Sequence, residues 1–164
     1  MNNVGVVAFS FGAPSGTSVN LSIGGRASAE AWKFSVPVFT QRDIPLHSFV
    51  IRERISETEG KPPSTLRLAR HAVAWAIRNQ FTELRVIAAG PHLWRAVRDT
   101  RAAVRETGFK FLDVSVCEWS GQPERDLWFT AESTQLRGRF KALFWVREAI
   151  LRSMPFWLYR HITD

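Results

Sequence analysis

The eighteen residues from Leu84 to Arg101, LRVIAAGPHLWRAVRDTR, constrain the fold more than any other stretch of the chain. Leu84, Val86, Ile87, Ala88 and Ala89 form an apolar run of strand character that stops at Gly90-Pro91. A helix begins at once, with Leu93, Val97, Thr100/Arg101 and Val104 at helical spacing, and it ends at Gly108, a C′ glycine. Strand, tight turn and helix in that order are the repeating unit of an open α/β sheet. Such sheets take ligands beyond the carboxyl ends of their strands, where the free amides at the start of the next helix favour anions. Here the turn also delivers His92 and Arg95.

The rest of the chain alternates in the same way. Val4 to Phe11 is a continuous apolar run, as in a central strand buried on both faces, and Gly12 to Gly16 is the loop at its carboxyl end. Ser18 or Asn20 caps a helix running to about Ser35, with Ala29, Ala31 and Trp32 expected inward and Gly24-Gly25 weakening its middle. Pro37 to Gln41 reads as a second strand, and Phe49 to Ile55, alternating apolar with charged residues, as an edge strand. After the polar connection SETEGKPPS, a helix from Ser64 to about Asn79 places Leu66, Ala69, Val73 and Ile77 on one face. Phe109 to Trp119 supplies a further strand. The expectation is a three-layer, Rossmann-like α/β fold: a mostly parallel central sheet with helices on both faces. No repeat or linker divides the chain, so residues 1–164 read as one domain with 134–164 a C-terminal helical tail packed on it. A chain of 164 residues buries roughly two-thirds of its unfolded surface.

That tail has two placements open to it. From Leu136 to Met154, Leu136, Phe140, Leu143, Phe144, Ile150, Leu151 and Met154 fall on one helical face, while Arg137, Arg139, Lys141, Arg147 and Arg152 lie elsewhere; Pro155 then precedes Phe156, Trp157, Leu158 and Tyr159. A basic amphipathic helix followed by aromatics suits an anionic membrane surface. An α/β sheet also needs helices on both sides, and this favours packing, with Phe140, Phe144 and Ile150 inward and Arg147 and Glu148 in polar contacts at the rim of the sheet.

Charge and composition exclude several function classes. The net charge is +7, yet the basic residues are interleaved with Asp and Glu except toward the tail. No helix-turn-helix, zinc-finger spacing or ribonucleoprotein motif accompanies them, so no dedicated nucleic-acid role is expected. The single cysteine, Cys117, has no partner for a disulfide or a metal site; it lies in a strand-like stretch and reads as a small buried hydrophobe in a reducing compartment. MNNVGVVAFSFGAPSG has neither the basic leader nor the apolar length of a signal peptide, and no stretch reaches a membrane-spanning length, so a cytoplasmic location is expected.

In a parallel sheet three loops converge at the carboxyl edge: Ser10, Gly12, Ser15 and Asn20 after the first strand, Gln41 and Asp43 after the second, and Gly90, His92 and Arg95 after the strand at Leu84. Ser64 and Thr65 add two hydroxyls at a helix N-terminus. Polar groups gathered around helix N-termini suit a phosphate, a carboxylate or sugar hydroxyls. In an enzyme built on this edge, Arg95 and the amides at the Leu93 turn hold the anion, His92 is the general acid/base, and Asp43 orients His92 or a hydroxyl. The fingerprints G-x-G-x-x-G, G-x-x-x-x-G-K-[ST] and G-x-S-x-G are absent, so no cofactor is assigned and no metal site is expected.

The pieces AFSFGAPSGTSVN, PVFTQRDI, PPSTLRLARHAVAWA and VIAAGPHLWRAVRDTR, with STQLRGRFKALFWVRE near the end, occur in an order that resembles the bacterial YdcF-like family, which also contains SanA and ElyC, and in particular its short cytoplasmic members. The resemblance implies a Rossmann-like sheet with a pocket near Gly12, Asn20, Gln41, Thr65, His92 and Arg95, and it implies no particular reaction. Unlike SanA and ElyC, the chain shows no N-terminal anchor. Two functions follow as expectations: a domain binding a small anionic metabolite, with nucleotides and adenosine-containing compounds among the candidates, or a noncatalytic cell-envelope accessory protein docking on anionic lipid or a membrane partner through its tail.

Overall fold

The computed structural model describes residues 3–12, 16–57, 63–117, 128–129, 131, 133 and 139–163. The most apolar run near the N-terminus forms the middle strand. β1 (Val4–Ala8) is buried throughout and pairs on one side with β2 (Val38–Thr40) and on the other with β4 (Glu83–Ile87). β3 (Arg52–Arg54) adds outside β2 and β5 (Asp113–Val116) outside β4, giving the order β3-β2-β1-β4-β5 with every pair parallel. β3 exposes all three of its charged residues, as suits an edge strand. The chain is thus a three-layer α/β fold of Rossmann-like order.

Three long helices connect the strands and cover both faces. α1 (Ser18–Phe34) buries Val19, Ile23, Ala27 and Ala31 against Val6, Ala8 and Val38 on one face. α2 (Thr65–Arg78) and α3 (Gly90–Thr107) bury Leu68, Ala72, Trp75, Ala96 and Ala103 against Val7, Phe39, Leu84 and Val86 on the other. Ser64 caps α2 by accepting from the Arg67 amide, and Gly108 ends α3 in the left-handed conformation, φ 69°.

Several local expectations are corrected. The cap of α1 is Thr17, whose hydroxyl accepts from the Asn20 amide, rather than Ser18 or Asn20. Of Ala29, Ala31 and Trp32 only Ala31 is buried, and Trp32 is 73% exposed, because the inward stripe of α1 runs through Ile23, Ala27 and Ala31. Gly24 is a packing requirement: a Cβ there would lie 1.9 Å from the Pro45 carbonyl oxygen, so only glycine lets the loop after β2 approach the helix.

The tail forms α4 (Lys141–Ser153) and α5 (Phe156–Thr163), separated at Pro155, while Leu136 and Arg137 lie outside the described residues. Phe144 packs with Phe11 and Phe129, and Leu151 and Tyr159 pack against Leu66 of α2. Phe140 and Ile150, expected inward, are 53% and 54% exposed. The inward positions of α4 are Phe144, Glu148 and Leu151, a face set by the pairing of Glu148 with Arg95 described below. Among the described residues no helix is long and apolar enough to cross a membrane.

Candidate functional site

β1 and β4 are adjacent and parallel, but the chain leaves them in opposite directions, toward α1 on one face and α3 on the other. A crevice opens where the connections diverge. Below it the β1–α1 loop is held by two side chains. The amide and hydroxyl of Ser10 donate to Gln41 Oε1 at 2.9 and 3.0 Å. Asn20 accepts from the Phe11 amide at 3.0 Å and donates to the Gly12 carbonyl at 3.2 Å. Gly12 has φ 77°, and a Cβ there would meet Ser133 Oγ at 2.8 Å, so both backbone conformation and space demand glycine.

The crevice contains a cavity of about 80 Å³. Ser10, Gly12 and Gln41 line its floor with Phe9 and Phe11; Ser64 and Thr65 come from the start of α2, His92 and Arg95 from the first turns of α3, and Phe144, Arg147, Tyr159 and Thr163 close it from α4 and α5. One water needs roughly 10–15 Å³ of such space, so the cavity admits a phosphate-sized group, while a whole drug-sized ligand requires roughly 300 Å³ or more. A second cavity of about 230 Å³, lined by Trp32, Val36, Phe49 and Ile51 among others, lies at the amino end of the sheet and holds no charged group.

The chemistry of the first cavity is one-sided. Arg95 Nη2 lies 3.0 Å from His92 Nδ1. A guanidinium has no acceptor, so Nδ1 must accept, which places the ring proton on Nε2, 3.4 Å from Thr65 Oγ1. His92 therefore presents a donor. Its ring is flanked by Phe9 and Phe11, and both His92 and Arg95 are only 6% exposed. Arg95 Nε stands 3.1 Å from the Glu148 carboxylate, which is 1% exposed; the contact is a close ion pair without hydrogen-bond alignment. Arg147 has a buried Nη1 that no hydrogen-bond acceptor reaches among the described residues. Burial, and then the neighbouring charge of Arg95, push its guanidinium below the ordinary arginine range against the pull of Glu148. Glu148 is thus shared by Arg95 and, at 4.0 Å, by Arg152, Arg147 adds a further positive charge, and no acidic side chain lines the cavity among the described residues.

The helix termini contribute differently from expectation. Both the His92 and Leu93 amides donate to the Ala89 carbonyl, at 2.8 and 2.9 Å, and Pro91 has no N–H, so the Leu93 turn cannot hold an anion. At α2, Thr65 and Leu66 lie in the first turn, where amides lack an intrahelical partner.

Of the residues singled out from sequence, Ser10, Gly12, Gln41, Ser64, Thr65, His92 and Arg95 line this one cavity. Asn20 is fully buried and shapes the loop beneath it, and Gly90 is the first residue of α3 outside the lining. Ser15 lies outside the described residues. Asp43 does not line the cavity, and burial raises its carboxyl above the ordinary range. The orienting role expected of it toward His92 belongs to Arg95, which holds Nδ1. Cys117 is buried, with its sulfur 3.2 Å from Arg26 Nη2 and its thiol pushed up mainly by burial. Among the described residues no cluster of His, Cys, Asp or Glu is arranged to hold a metal.

Sequence reasoning placed Arg147 and Glu148 in polar contacts at the rim of the sheet but not at the site, and it missed Tyr159 and Thr163 in the lining and Asp99 of α3 behind them. Asp99 is completely buried, receives Arg98 Nε and Nη2 at 2.9 and 2.8 Å and accepts the Tyr159 hydroxyl at 2.5 Å. One available signal was Glu148, the single acid between Phe140 and Thr163. No protein-family model matches the chain, and no curated protein matches it. The chemistry of the cavity therefore carries the functional assignment.

Proposed function

We propose that the chain binds a small anionic metabolite, with a phosphoryl or carboxylate group of that ligand seated in the cavity between β1 and β4. The observation that carries this reading is the excess of positive charge at the cavity: Arg95 is paired with Glu148, while half-buried Arg147, with no ion pair among the described residues, faces a lining whose other polar groups are hydroxyls, Gln41 and the donor face of His92. A bound anion would give Arg147 Nη1 the acceptor it lacks among the described residues and relieve the repulsion between the guanidiniums. The small volume selects for the head group, so the remainder of a larger ligand, such as a nucleotide or sugar phosphate, extends past the mouth of the site. A pocket at this edge is also what the resemblance to the YdcF-like family implies, and a cytoplasmic, bacterial setting belongs to the same proposal.

If the site is catalytic, His92 acts through its Nε2 proton, as a donor to a bound oxyanion or a leaving group, with Arg95 as its positioning residue. The test is a thermal-shift and calorimetric titration with inorganic phosphate, nucleoside monophosphates, sugar phosphates and S-adenosylmethionine. Binding to the native state alone at a hundredfold excess over Kd stabilises by about 2.7 kcal/mol. A shift with phosphate-bearing compounds that Arg147→Ala abolishes supports the site. The proposal fails if no anion shifts the transition, or if the shift survives in both Arg147→Ala and Arg95→Ala.

A further inference from the structure

The geometry points to a membrane-binding surface on the outer side of α4 and α5, whose partner is a bilayer containing anionic phospholipid. The inner side of this helix pair is committed: Phe144, Glu148, Leu151 and Tyr159 face the domain. The outer side is apolar as well, which an ordinary surface helix is not. Leu143, Val146 and Ile150 recur at helical spacing on a different face of α4 and are 52%, 61% and 54% exposed. On α5, Trp157 and Ile162 are 63% and 61% exposed. Eight of the fifteen large apolar side chains exposed among the described residues lie between Phe140 and Ile162. Scattered exposure needs no explanation, but concentration on one short helix pair does.

Charge selects the occupant. From Phe140 to Thr163 the chain carries Lys141, Arg147, Arg152, Arg160 and His161 but a single acid, Glu148, which is buried against Arg95. Between residues 140 and 163, therefore, no carboxylate is exposed. A second copy of the chain meeting this surface about a twofold axis would set Arg152 and Arg160 near the same residues of its partner, while the carboxylates near them, Glu148 and Glu106, are already engaged by Arg95 and Arg70. An anionic bilayer complements both features: aliphatic side chains enter the acyl boundary while lysine and arginine meet the head groups. Trp94 and Trp145, 45% and 41% exposed, flank Arg152, whose guanidinium lies 4.8 and 5.9 Å from their ring centres. Amphipathic indoles beside a basic side chain suit the polar–apolar boundary of a membrane.

The test is co-sedimentation of the full chain with vesicles of phosphatidylcholine alone and of phosphatidylcholine mixed with phosphatidylglycerol. Binding to the mixed vesicles is expected, falling as salt rises, with little binding to the neutral ones. Val146→Glu with Ile150→Glu, both on the exposed face and outside the cavity, should abolish binding while leaving circular dichroism and Tm unchanged. Arg152→Gln should weaken it roughly fivefold, the effect of one basic residue near such a surface. The proposal is overturned if the folded chain does not bind anionic vesicles, or if binding is insensitive to salt or survives Val146→Glu with Ile150→Glu. It is equally overturned if sedimentation equilibrium shows a dimer that these two substitutions dissociate and no vesicle binding accompanies it.

Discussion

The hydroxyl of Tyr159, near the end of the chain, lies 2.5 Å from Oδ2 of Asp99 in the middle of α3, and both residues are fully buried. Arg98 completes the arrangement, donating to the other oxygen of Asp99 while its guanidinium lies 4.0 Å from the centre of the Tyr159 ring. The tail is therefore tied to the domain by a buried polar network, and the cavity is closed by the same helices. Tyr159→Phe removes one hydrogen bond from a buried carboxylate and should destabilise the protein by about 1–3 kcal/mol. Thermal denaturation measures the loss, and limited proteolysis should show earlier cleavage in 140–163 than in the rest of the chain.

Tyr159 is the only tyrosine, so its ionisation can be followed by ultraviolet absorbance without interference from another. Burial, with the charge and hydrogen bond of Asp99, raises its hydroxyl well above the ordinary value of about 10. A group with a raised folded pKa stabilises the fold fully below its unfolded pKa and loses that contribution as pH rises through the folded value. Stability should accordingly fall as pH climbs above about 10, tyrosinate absorbance should emerge only with unfolding, and Tyr159→Phe should flatten that part of the stability profile.

Arg95 and Arg147 should separate when each is replaced by alanine. Arg95→Ala leaves Glu148 buried and without its nearest cation, and breaking a buried pair costs about 3–5 kcal/mol. Arg147→Ala removes a guanidinium whose Nη1 has no hydrogen-bond partner among the described residues, so anion binding should be lost with little change in Tm or even a gain. Denaturant titration alongside phosphate calorimetry checks both halves. Because Arg95 is buried and paired, its alanine variant is not the mild change that a solvated first-turn arginine would give.

The two neighbouring glycines of α1 should respond in opposite directions. Gly24→Ala drives a methyl into the Pro45 carbonyl and requires backbone movement, so a large loss of stability is expected. Gly25 has open space around its Cβ position, and Gly25→Ala should stabilise by about 0.5–1 kcal/mol through helix propensity. Equal effects at the two positions in thermal melts would contradict the packing described for α1.

Much of the architecture was written locally. The unbroken apolar run at Val4, the strand–turn–helix at Leu84 and the Ser64 and Gly108 boundaries are set by periodicity, capping and backbone preference, all of which act within a few residues. With strands and helices alternating, a parallel sheet with right-handed crossovers follows, and its carboxyl edge had to collect Ser10, Gln41, Thr65, His92 and Arg95.

Tertiary structure decided what these residues became. Asn20 and Gln41 carry polar side chains suited to a ligand, yet both are engaged in holding the loop after β1, because buried backbone amides there need acceptors. Asp43 sits in the right loop and outside the cavity. The face of α4 that turned inward was fixed by electrostatics: Glu148 is the only acidic residue between Phe140 and Thr163, and Arg95, buried on α3, required it. That pairing rotates Phe140 and Ile150 to the outside and carries Arg147 into the cavity. Sequence alone determined which segments are strands and helices, since those preferences are local. The second arginine of the site, and which side of the tail is left bare, depend on a charge pair between residues 53 positions apart, which only the folded chain brings together.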